Sequence, residues 1–200
     1  MRLAAIALLL PLTAAAAEKA PPPPPPDAPA DVLTPAQEAA QEMLTIYEEF
    51  CLDRFPSPDA IQAGIAAHHL SQAAAPQATD ALLGRAGSVW AVATPKGHYA
   101  IAIEAPPHKG CAVTGPAADD EGIRAAFELA VEMYAQAHEY GMLQRPPRQS
   151  GQVAGRDAAV QIIGASPSDR PRQAFVNMGS HNPDGSTQLR LSREFAPPEH

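Results

Sequence analysis

Basic residues, cysteine and long apolar runs are all in short supply, and each shortage excludes something. Fourteen lysines and arginines face 22 acidic residues, a formal charge of −8, which speaks against wholesale nucleic-acid binding. The deficit is uneven. Residues 18–144 carry 6 basic and 17 acidic side chains, whereas Arg145 onward holds 7 arginines and 5 acids. An anionic partner would therefore meet the arginine-bearing final third, around Arg145–Arg172, unless these are ordinary solvated loop arginines. The longest apolar stretch, Leu3–Leu12, falls short of the roughly 20 residues that span a bilayer. The cysteines number only two, Cys51 and Cys111, which limits the chain to a single internal bridge.

Catalytic motifs are missing as well. His138-Glu139-Tyr140-Gly141-Met142 begins like H-E-x-x-H but has Met142 where the second histidine must stand, so that zinc site cannot form. His68 and His69 are adjacent, and on a helix they would point about 100° apart. His98 and His108 stand at turn ends and could approach each other, but two ligands alone make a weak metal site. Gly164-Ala165-Ser166-Pro167-Ser168 lacks the last glycine of G-x-S-x-G, and Pro167 blocks the helix that motif needs. Gly151–Gly155 is not a phosphate loop. The acidic pairs Glu48-Glu49 and Asp119-Asp120 are sequence neighbours on a helix surface and at a helix start. No cofactor, metal or catalytic residue is indicated.

Proline, in contrast, is plentiful, with 23 in the chain. Met1-Arg2, the apolar run and Ala15-Ala16-Ala17 form a secretory signal peptide with cleavage expected after Ala17. No cysteine lies near that point, which argues against a lipoprotein. A proline-rich arm over residues 18–33 follows, in which Pro21–Pro26 favour polyproline II. This arm is a passive tail, a spacer or a ligand for another protein.

The single folded domain is expected over 34–195, with a frayed tail at 196–200. Ser88–Ala93 and Tyr99–Glu104 alternate with period two around the turn Thr94-Pro95-Lys96-Gly97, which reads as a hairpin. Cys111–Thr114 makes a third strand, with Cys111 and Val113 on the core side. Thr34-Pro35-Ala36-Gln37 is a capping box opening a helix to about Leu52. Its stripe is Ala39, Met43, Ile46, Tyr47 and Phe50. Ser57-Pro58-Asp59 restarts a short helix with Ile61, Ile65 and His68 inward. Residues 71–86 read as loop, broken at Pro76, with one turn near Thr79–Leu83.

Asp119-Asp120-Glu121 favours a helix start, and Gly141 a helix end. Between them Ile123, Phe127, Ala130, Val131, Tyr134 and Ala137 form a stripe. Three further strands are expected at Asp157–Ile163, Gln173–Met178 and Thr187–Ser192, the last half-exposed, with a turn at Asn182-Pro183-Asp184-Gly185. The fold class is thus α+β, an antiparallel sheet with helices on one face in the order α-α-βββ-α-βββ, like two α-βββ units in succession.

In an exported chain the two cysteines read as one disulfide, Cys51–Cys111, fastening the first helix to the tryptophan-bearing sheet. The competing reading, a thiol nucleophile, requires a reduced and exposed thiolate. Phe50-Cys51-Leu52-Asp53 with Phe55-Pro56, then Trp90 and Gly110-Cys111-Ala112-Val113, resemble small exported proteobacterial proteins of unknown function. The likeness covers roughly residues 40–115 and implies an envelope location and a disulfide. The functional expectation is a periplasmic or secreted non-catalytic domain. It would bind or support an unidentified envelope protein or ligand, with no transmembrane anchor after cleavage. A binding face would lie on the sheet side free of helices or near the arginine loops. The alternative is an exported hydrolase or metal-handling protein whose site assembles only in three dimensions.

Overall fold

The computed structural model describes residues 33–116, 121–166, 171–181 and 186–195. The stretch read as a signal peptide, the arm up to residue 32, Asp119-Asp120, the Asn182–Gly185 segment and the tail lie outside them.

Thr34 caps α1 (Pro35–Tyr47) as its pattern dictates: its hydroxyl accepts from the Gln37 N–H, and the Gln37 side chain accepts from the Thr34 N–H. The rod expected to reach Leu52 changes character after Tyr47 and continues as a π-helical segment, Glu48–Arg54. Widening the turn rotates the stripe, so that Phe50, Cys51 and Leu52 are all buried where an α-helix would bury fewer consecutive residues. Ser57 caps α2 (Pro58–Ala67). Ile61 and Ile65 turn inward as expected, but His68, just past the helix end, is half exposed and bonds Glu49 at 2.9 Å.

Among the described residues, eight strands form one antiparallel sheet in the order β1-β2-β3-β4-β8-β7-β6-β5. They are β1 (Ser71–Gln72), β2 (Gly87–Thr94), β3 (Gly97–Glu104), β4 (Lys109–Pro116), β5 (Gln149–Val153), β6 (Arg156–Ala165), β7 (Gln173–His181) and β8 (Thr187–Phe195). Each half of the chain contributes a meander, and the last strand of each, β4 and β8, pair at the seam. Two strands exceed the sequence reading. The two-residue β1 is too short to show a period, and β5 has the polar, glycine-bearing sequence QSGQV. A tight turn at Ala154-Gly155, both with positive φ, joins β5 to β6.

One face of the sheet carries Tyr99, Ile101, Cys111, Val113, Ile163, Phe175, Leu189 and Leu191 in the main core, beneath α1, the π segment and α4 (Glu121–Ala137). Helix α3 (Ala75–Ala81) packs on the opposite face, where Ala81 and Leu82 cover Val89, Ala100, Ala102 and Ala112. Pro76, expected to break structure, stands in the first turn of α3, where its missing N–H costs nothing. Helix α4 stops at Ala137, and the left-handed residue is Glu139, φ 55°, rather than Gly141. Strand β8 is central, so Arg190, expected on a wet face, is 3% exposed.

The bridge joins Cys51 to Cys111 across a 60-residue separation, with both residues fully buried and no cysteine left free. The thiol-nucleophile reading is thereby excluded. Closing a loop of that size stabilises by about 4 kcal/mol in the chain-entropy model. Replacing both cysteines by alanine should lower the urea midpoint by the equivalent of roughly 2–4 kcal/mol. Thiol labelling of the unreduced protein should give no adduct, whether native or denatured.

Candidate ligand-binding clefts

Among the described residues, two cavities and two buried arginines gather polar groups. Arg193, on β8, is 2% exposed. Its Nη1 lies 3.1, 3.1 and 2.8 Å from the carbonyl oxygens of Cys51, Leu52 and Phe55, and its Nε donates to Gln173 Oε1 at 2.9 Å. Helix ends leave such carbonyls without partners, and a guanidinium answers several at once. The same cation stacks over Tyr134 at 4.8 Å, Phe195 at 5.5 Å and Phe55 at 5.6 Å. Burial pushes the Tyr134 phenol up to about 12, against the opposing pull of Arg193. This group is fully engaged and structural.

Arg190, on the other face of β8, donates to the Ala81 carbonyl and pairs with Glu104 at 3.1 Å. Arg85 approaches the same carboxylate at 2.9 Å and Glu194 at 3.5 Å. Burial pushes the Arg190 guanidinium below its ordinary range, with Glu104 opposing. Gly110 leaves room for this carboxylate, since a Cβ there would lie 2.8 Å from Glu104 Oε2. Beside this network the second face opens over β6 and β7, where Ile162 is 38% exposed and Val160 and Val176 are half-buried.

The first cavity, about 380 Å³, lies between the Phe55–Ile61 corner and the β2–β3 hairpin. Phe55, Pro56, Pro58, Ile61, Trp90 and Ile103 make its walls, with Gln62 and Ser88 as polar members. Glu104 also borders it, but its oxygens are committed to Arg85 and Arg190. Trp90 is half-buried, and among the described residues its indole N–H has no hydrogen-bond partner.

The second cavity, about 320 Å³, lies under α3 on the other face and near the other end of the strands. Ala100 and Thr114 form its floor, Gln77, Asp80 and Ala81 its roof, and His98 and Gln188 part of its sides. Asp80 Oδ1 accepts from Arg156 Nη2 at 2.7 Å, and Arg156 Nη1 donates to Gln188 Oε1 at 3.0 Å.

The remaining candidates disperse. His98 and His108 stand at opposite ends of β3, about 20 Å apart at strand spacing, so they do not meet. Glu49 is held below the usual carboxylate range; burial works against this, but hydrogen bonds from Arg54 and His68 prevail. His138 stacks on Tyr134 at 4.0 Å. Arg145 pairs with Glu132 at 3.3 Å and Arg156 with Asp80, so these two arginines are tied into the fold. Among the described residues no group of three His, Cys, Asp or Glu is placed to hold a metal, and no helix is long and apolar enough to cross a membrane. Sequence reasoning missed both cavities, because Trp90, Thr114 and Gln188 carry no motif. The one available signal was a lone tryptophan followed two strands later by a threonine on the face opposite Cys111.

No family model and no curated protein matches this chain. Among solved structures it is similar to PA94 of Pseudomonas aeruginosa, a protein of unknown function, at 10% identity and a TM-score of 0.24. That match covers 56% of this chain and 72% of the other, and a likeness so slight has no bearing on fold or function.

The buried network makes a graded prediction. Glu104→Gln removes the carboxylate that pairs directly with Arg190, leaving only the more distant Glu194, and should cost about 3–5 kcal/mol. Arg85→Gln, at the wetter end, should cost under about 1 kcal/mol. Urea unfolding of the two variants measures both.

Proposed function

We propose that this protein is an exported, non-catalytic binding module that takes an apolar ligand in the Trp90 cavity. One observation carries the reading: a preformed pocket of small-molecule size, walled by aromatic and aliphatic side chains, keeps the indole N–H of Trp90 without a partner among the described residues. An unpartnered indole N–H on a pocket wall is a donor that a ligand can use. Its ligand would combine an apolar body with one hydrogen-bond acceptor. The single bordering carboxylate is already bound by two arginines, which supports binding rather than general acid–base work. The disulfide supports export, since such bridges persist in oxidising compartments.

The only tryptophan of the chain is its own reporter. Titrating the protein with the apolar dye N-phenyl-1-naphthylamine should quench Trp90 saturably. Ser88→Phe, which fills the pocket from its rim, should weaken the effect by about tenfold without loss of circular dichroism. Equal quenching in both proteins would refute the cavity as the site. Expressed from the full-length sequence in a Gram-negative host, the protein should appear in the periplasm with a mass that begins at Glu18. Intact Met1 in the cytosol would refute export.

A further inference from the structure

The cavity under α3 has a floor of different chemistry. Thr114 is 6% exposed, it lines the cavity, and among the described residues its hydroxyl has no hydrogen-bond partner. A hydroxyl on the wall of an open cleft, with no partner of its own, can both donate to and accept from a group from outside. The groups around it are mixed. Gln188 has its carbonyl oxygen occupied by Arg156 at 3.0 Å, which leaves its amide N–H groups to donate. Asp80 keeps one carboxylate oxygen free, because the other takes Arg156. The ring nitrogens of His98 and the amide of Gln77 add further hydrogen-bonding groups.

Charge narrows the choice of ligand. The Asp80–Arg156 pair, at 2.7 Å, cancels the two formal charges at the cleft. An anion would face the carboxylate, and a cation would compete with a guanidinium already in place. Donors and acceptors alternating around an electrically balanced space suit hydroxyl groups, each of which both donates and accepts. The volume of about 320 Å³ stands at the lower end of small-molecule sites and suits one ring-sized unit. We infer that the cleft beneath α3 is a second binding site, which takes a neutral, polyhydroxylated ligand, a single saccharide unit, on Thr114 and Gln188. It lies on the opposite face of the sheet from Trp90 and does not depend on the reading given for that cavity.

The test is a heteronuclear NMR titration of the ¹⁵N-labelled mature protein with glucose, with N-acetylglucosamine and with inorganic phosphate, each alone. At least one sugar should shift the Gln188 side-chain amide and the Thr114 backbone amide saturably, and phosphate should not. Thr114→Val should weaken sugar binding by about three- to tenfold, the worth of one hydrogen bond. Its melting temperature should stay level or rise, since no hydrogen bond to a described residue is lost. Gln77→Ala, at an exposed position of the roof, should weaken binding with the fold intact. Ser88→Phe should leave it unchanged. Shifts with phosphate alone, no saturation with either sugar, or a lower melting temperature for Thr114→Val would each overturn the assignment.

Discussion

Arg193 is the interaction on which the architecture depends. The first helix reaches the sheet by loosening into a π-helical segment, which leaves the carbonyls of Cys51, Leu52 and Phe55 pointing into the interior. Unpaired, such groups are costly. A single guanidinium from the last strand accepts the task, and it lies 5.6 Å or less from three aromatic rings. The disulfide sits at the same junction, where Cys51 provides one of the three carbonyls. One residue therefore satisfies a helix end, links the first helix to the last strand and anchors the aromatic cluster beneath α4. Lysine, with no planar fork, could not reproduce that set of contacts.

The second face of the sheet follows a different logic. Short side chains at Ala100, Ala102 and Ala112 let α3 lie close, and the Arg190–Glu104 pair fills the space beside them. The cleft under α3 is the remainder of that packing. Gly115 serves the opposite face, where a Cβ would lie 2.4 Å from the Tyr99 ring. Burial and the Glu42 carboxylate, 2.9 Å away, push the Tyr99 phenol up. Its hydroxyl also lies 3.0 Å from the Ala39 carbonyl, which ties α1 to β3 at the end of the sheet away from Arg193.

Much of this was legible in the residues. The capping box at Thr34, the alternation on either side of Thr94–Gly97 and the pairing of Cys51 with Cys111 all rest on local or countable signals. What escaped depends on neighbours distant in the chain. Arg190 looked solvated because alternation shows a face but not what lies over it. Pro76 looked like a breaker, although the same residue opens a helix when it falls in the first turn. The π-helical widening has no period of its own, since Phe50, Cys51 and Leu52 are simply three apolar residues in a row. Both cavities arise between elements, from side chains that share no spacing.

The seam between β4 and β8 has its own consequence. Cys111 stands opposite Arg193, and Val113 opposite Leu191, whereas β2–β3 and β6–β7 are hairpin neighbours. Contacts between remote segments form late, because the loop they close is long. Each half of the chain can thus raise its own meander, but until the two final strands zip together each carries an open edge on a strand that the finished sheet buries. Any opening of that seam bares two strand edges at once, the condition under which strands of separate molecules pair.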